Sequence, residues 1–161
     1  MSKAPLLSRA FALAFVANFM HSLALFGYLH LPGFLDRLGA DELMIGILVG
    51  AMAASAVATR PALGSLMDRR GRHVVVRLGS VIHVVVCLSY LLVDRIGVGL
   101  FAIRIVHGVA EAMLFSALFT IAADVAPASR RTEGIALFGI SGLLPMALGG
   151  LLGDAILAHA D

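Results

Sequence analysis

Charge is scarce in this chain of 161 residues: 14% are charged against 60% apolar, and the mean hydropathy is +0.99. So few ionic groups cannot cover the surface of a water-soluble globule, which leaves a protein of the lipid bilayer. Cysteine is scarcer still. The single Cys87 offers neither a disulfide framework nor a metal set and reads as a packed apolar thiol. No long polar linker interrupts the chain, so residues 1–161 read as one membrane domain. No metal cluster, phosphate-binding loop or nucleophile beside its base can be picked out, which argues against an enzyme and leaves no cofactor or metal to assign.

The charges gather at the edges of five apolar stretches, each close to the roughly 20 residues needed to cross a bilayer. The chain therefore reads as an all-α integral membrane protein with five transmembrane helices, over about 10–29, 42–67, 74–93, 98–123 and 134–158. Leu31-Pro32-Gly33 is expected to end the first helix. Asp41 and Glu42 suit the start of the second, and Pro61 is expected to kink it or mark its last turns. Lys3 and Arg9 precede an apolar run that is too long for a signal peptide and lacks a small-residue cleavage site, so an uncleaved first helix is expected.

Orientation follows from the cations. Lys3, Arg9, Arg69, Arg70, Arg72, Arg77, Arg130 and Arg131 fall on one side, while Arg37 and Arg95 fall on the other. The expected topology puts the N-terminus in the cytoplasm and the C-terminus outside. That bias accounts for the net charge of +2, so the charge is no argument for nucleic acid.

Between the second and third stretches lies a charged island, Gly64-Ser65-Leu66-Met67-Asp68-Arg69-Arg70-Gly71-Arg72-His73. Any cytoplasmic loop collects arginines, but the spacing here adds content. Gly64 would let a neighbouring helix come close, Asp68 can accept hydrogen bonds at a helix end, and Gly71 lets the backbone turn sharply. The G-x-x-x-D-R-x-G-R spacing of Gly64, Asp68, Arg69, Gly71 and Arg72 resembles the signature between helices two and three of the major facilitator superfamily, a group of secondary transporters. The resemblance implies the N-terminal half of that fold, with the island as a conformational latch against a second helical bundle. His73 stands where the family usually has Arg or Lys.

In the fourth stretch Arg104, His107 and Glu111 lie at offsets of three and seven residues and share one helix face. An arginine at a helix centre costs on the order of 2.5–3.5 kcal/mol on insertion scales, so something must compensate it. The expected arrangement is neutralisation of Arg104 by Glu111 with His107 between them, for binding or proton handling; an ion pair that only orients helices is the alternative. Arg104-x-x-x-Gly108 resembles the fourth-helix motif of proton-coupled family members, which implies a role for the arginine in proton transfer or substrate binding. Glu111 is the best proton-carrier candidate, whereas His83 in the third stretch reads as a packing element.

Asn18, His21, Ser22 and Tyr28 form a polar stripe on the first helix, of the kind that joins helices in lipid. The resemblance makes Asn18, His21 and Tyr28 substrate-cavity candidates. The last stretch is rich in glycine, with Gly134, Gly139, Gly142, Gly149, Gly150 and Gly153 around Pro145. Gly149-x-x-x-Gly153 and Gly46-x-x-x-Gly50 are small-residue faces suited to close helix contact. The region is similar to the G-P-x-x-G-G pattern of family antiporters, except that Pro145 precedes Gly149-Gly150 by one residue too many.

Carriers of this family pair two six-helix halves around a solute, and five helices are expected here. The resemblance implies proton-coupled transport or efflux of small organic solutes by alternating access in the cell's inner membrane. Its partners would be lipid, solute, protons and a second bundle from the same or another chain. A truncated, non-transporting membrane protein that acts as a scaffold or regulator by binding helices through its glycine faces is the alternative.

Overall fold

A computed structural model describes residues 5–159, and among them there are helices and turns but no strand. In chain order they are α1 (Arg9–Phe26), a 3-10 turn (Gly27–His30), α2 (Leu31–Arg37), α3 (Glu42–Arg70) and α4 (Arg72–Ser89). A second 3-10 turn (Tyr90–Leu92) leads to α5 (Val98–Val125), and a third (Ala128–Arg130) leads to α6 (Arg131–Leu157). Five of the resulting helical segments are long and apolar enough to span a bilayer: Arg9–Arg37, Glu42–Arg70, Arg72–Leu92, Val98–Val125 and Ala128–Ile156.

The helix ends follow local chemistry. Ser8 caps α1 by accepting the Phe11 N–H at 3.2 Å, and Asp41 caps α3 by accepting the Met44 N–H at 2.7 Å. Pro32 and Gly33 do not stop the first span, contrary to the sequence expectation. Pro32 occupies the second position of α2, where the missing N–H has no intrahelical acceptor to lose, and the chain stays helical to Arg37. It leaves the helix at Gly39, whose φ of +85° suits glycine. Pro61 likewise lies within α3, which continues to Arg70.

Contacts divide the described chain into two compact units, residues up to His30 with those from Leu118 onward, and Leu31–Ala117 between them. In the first unit α1 packs on α6. Phe138 is fully buried and meets Phe11 and Phe119 edge-on, with ring centroids 6.3 and 5.0 Å away. Near the start of α6 a Cβ on Gly134 would come within 2.8 Å of the Cβ of Ala126, the residue after α5. One on Gly149 would come within 2.8–2.9 Å of Phe26, backbone included, and one on Gly153 would overlap the His30 ring. The Gly149/Gly153 face is thus the surface on which the end of α1 and its 3-10 turn rest.

In the second unit Ala56 and Leu63 of α3, Val75 of α4, and Ala112, Met113 and Ala117 of α5 form the core. Small residues set the spacing. A Cβ on Gly79 would lie 3.0 Å from the Met113 Cβ, and one on Gly108 would overlap the Met52 carbonyl oxygen and the Ser55 hydroxyl. Ser55 Oγ lies 2.9 Å from the carbonyl oxygens of both Met52 and Ile105, tying α3 to α5 beside Gly108. Gly46 and Gly50, expected to be a contact face, have nothing within 4 Å of where a Cβ would stand, and the same holds for Gly64. The glycine that brings α3 close to another helix is on α5, not on α3.

That contrast yields a measurable difference. Gly108→Ala should destabilise the protein by about 1–3 kcal/mol in reversible unfolding in mixed micelles, as overpacking does. Gly46→Ala should stay within about 0.5 kcal/mol of the parent. Equal effects of the two substitutions would mean that α3 and α5 do not meet at Gly108.

Candidate functional site

The second unit holds a buried polar cluster on α3, α4 and α5. Arg104 is 3% exposed and His107 and His83 are 0% and 6% exposed, so all three side chains are inside the helical packing. Gly108 lies one turn beyond Arg104 on α5, and its missing side chain lets α3 approach closely enough for the guanidinium to reach backbone. Arg104 Nε donates to the Leu48 carbonyl at 2.9 Å and Nη2 to the Val49 carbonyl at 3.4 Å. Nη1 donates to the Tyr90 hydroxyl at 3.1 Å. Three donors of the fork are thereby directed to three acceptors, which is how an ion avoids the desolvation cost of a low-dielectric interior.

These contacts correct the expected neutralisation of Arg104 by Glu111. Seven residues along a helix is about 10 Å of rise, and the guanidinium turns toward α3 and Tyr90 instead. Glu111 is half-buried one turn beyond His107 on α5. His107 joins the cluster through Tyr90, whose hydroxyl lies 3.2 Å from His107 Nδ1. The His107 ring also meets the His83 ring edge-on, with centroids 5.2 Å apart, and the Tyr90 ring at 5.8 Å. Arg104, Tyr90, His107 and His83 therefore form one connected set.

Tyr90 and this role for His83 escape a reading of the sequence alone. The available signal is their spacing of seven residues, which puts both on one face of α4 and its continuing 3-10 turn. Arg60 escapes it too. It lies within α3, is exposed, and holds its guanidinium 5.7 Å from the centroid of the Phe115 ring on α5.

The other candidates lie elsewhere. Asn18, His21 and Ser22 are buried on α1 in the first unit, and Tyr28 is half-buried in the following 3-10 turn. Asn18 Nδ2 donates to Ser141 Oγ at 2.8 Å, and Ser141 donates to the Phe138 carbonyl at 2.6 Å, so α1 and α6 are joined by a short polar chain. Gly142 lies beside it, where a Cβ would be 3.7 Å from Asn18 Nδ2, and Pro145 is fully buried. Gly139 faces open space, while a Cβ on Gly150 would lie 3.8 Å from Leu29. His30 Nε2 is 3.6 Å from an Asp154 carboxylate oxygen.

Most of the island is helical. Asp68, Arg69 and Arg70 belong to the last turn of α3, Gly71 alone links the helices with a φ of +82°, and Arg72 opens α4. Two arginines at a helix C-terminus suit its dipole. Asp68, Arg69, Gly71 and Arg72 are all exposed. Among the described residues no group of three or more His, Cys, Asp or Glu is placed to hold a metal ion.

Five membrane-length apolar segments in an all-helical chain define a multi-pass membrane protein. The family model of the Major Facilitator Superfamily matches residues 10–161, and the chain belongs to that family. It is 30% identical over 120 residues to a protein named "Staphylopine export protein" from Staphylococcus aureus (strain Mu50 / ATCC 700699). That match covers 74% of this chain and 30% of the relative's length, so the chain corresponds to about a third of that protein. No solved structure matches the chain significantly.

Proposed function

We propose that the chain is the N-terminal helical bundle of a secondary carrier that moves a small organic solute by alternating access, coupled to protons. The observation that carries this reading is the Arg104–Tyr90–His107–His83 cluster. A permanently charged guanidinium and two imidazoles are buried among membrane-length helices, and ionisable groups within transmembrane segments mark solute or proton pathways. Family membership and the export protein among its relatives favour efflux as the direction.

On this reading residues 1–161 act as one membrane domain, with the N-terminus cytoplasmic and the C-terminus outside, as the arginine bias favours. A second helical bundle, from the same or another chain, completes the solute cavity. Glu111 exchanges protons with that cavity, with His107 one turn before it on α5 and Arg104 held apart by α3 and Tyr90. Asn18, His21 and Tyr28 are the candidate solute contacts. Gly64, Asp68, Arg69, Gly71 and Arg72 act as a latch, with the charges of two helix ends concentrated around a single glycine link.

In the assembled carrier, reconstituted with an imposed pH gradient, Glu111→Gln should abolish gradient-driven transport while membrane insertion is unchanged. Undiminished coupling would remove Glu111 from the mechanism. Asp68→Asn should lower the maximal transport rate by about an order of magnitude while solute affinity stays within about twofold, as expected when a conformational step and not binding is touched. Unaltered turnover would reject the latch.

A further inference from the structure

The hydrogen bonds around Tyr90 have a direction, and that direction determines how His107 is protonated. An arginine has only donors, so the Tyr90 oxygen must accept from Arg104 Nη1 at 3.1 Å. A phenol carries one proton. With His107 Nδ1 at 3.2 Å, the O–H has a basic imidazole nitrogen within reach, a stronger acceptor than a backbone carbonyl. We infer that Tyr90 is a positioning residue: it takes an N–H from Arg104, gives its O–H to His107 Nδ1, and so holds His107 as the neutral tautomer that carries its proton on Nε2.

The groups around His107 make this arrangement responsive to a proton. The Tyr90 hydroxyl, itself bonded to the Arg104 guanidinium, stands at Nδ1, and the His83 ring of α4 meets the His107 ring edge-on. Cys87 lies three residues before Tyr90 on α4, Glu111 one turn beyond His107 on α5, and α3 contributes the Leu48 and Val49 carbonyls that hold Arg104. An imidazolium has N–H on both nitrogens. If a proton arrives at Nδ1, the Tyr90 O–H no longer has an acceptor there and must rotate away, which disturbs one of the three hydrogen bonds that hold Arg104. Protonation of His107 is thereby tied to the position of the α3–α5 guanidinium. This last consequence rests on the proton-coupled reading above, whereas the tautomer itself does not.

The test is nitrogen NMR of the full chain in lipid nanodiscs with 15N-labelled histidine, assigned with His107→Gln. In the unmodified protein at neutral pH the His107 Nδ1 resonance should lie at the unprotonated position and Nε2 at the protonated one. In Tyr90→Phe the pair should collapse to a tautomer mixture, with Nδ1 shifted toward the protonated position. A protonated Nδ1 in the unmodified protein would overturn the inference whether or not Tyr90→Phe folds, and an unchanged tautomer in Tyr90→Phe would do so equally. Transport of the assembled carrier against pH then separates the two readings. If the tautomer changes in Tyr90→Phe but the pH profile does not move, Tyr90 still positions His107 and proton coupling through this cluster is what fails.

Discussion

The second unit depends on one interaction, the hold that α3 has on the Arg104 guanidinium. A charge inside a bilayer-spanning bundle has to replace its hydration shell, and here the replacement is mostly backbone: the Leu48 and Val49 carbonyls, with the Tyr90 hydroxyl as third acceptor. Backbone oxygens can serve only if the helices come close, and Gly108, one turn beyond Arg104 on α5, provides that approach where it meets Met52 and Ser55 of α3. Sterics at one residue and electrostatics at another are therefore parts of the same contact. Tyr90 then extends the contact to His107 and His83.

The first unit solves a similar problem with neutral groups. Asn18 and Ser141 share a hydrogen bond across α1 and α6, and the close approach comes from Gly149 and Gly153. Interhelical hydrogen bonds between neutral side chains in membranes average about 0.6 kcal/mol, which suits a joint that holds helices together. The arginine-centred cluster differs in that it buries a permanent charge and two imidazoles.

Much of the fold is legible in the sequence, because a transmembrane span is a property of composition over length. The five apolar stretches, the sharp turn at Gly71 and the common face of Arg104 and His107 all follow from hydropathy, from glycine and from the helical period. What the period cannot supply is the partner across the gap. Ionic character alone pairs Arg104 with Glu111, whereas the carbonyl oxygens that hold it leave no trace in residue identity. Gly46-x-x-x-Gly50 matches a packing motif yet faces open space, and the isolated Gly108 makes the tight contact. Pro32-Gly33 has the composition of a helix end, but a proline in the first turn of α2 loses no hydrogen bond.

The most direct test of the central contact is a pair of double-mutant cycles on unfolding free energy in lipid-containing micelles. One cycle combines Arg104→Gln with Tyr90→Phe, and the other combines Arg104→Gln with Glu111→Gln. Residues in one hydrogen-bond network couple by roughly 0.5–3 kcal/mol, and independent sites add within about 0.5 kcal/mol. Coupling of that size is expected between Arg104 and Tyr90, with near additivity between Arg104 and Glu111. Strong Arg104–Glu111 coupling with none to Tyr90 would contradict the arginine–backbone contact and restore the ion pair as the organising interaction.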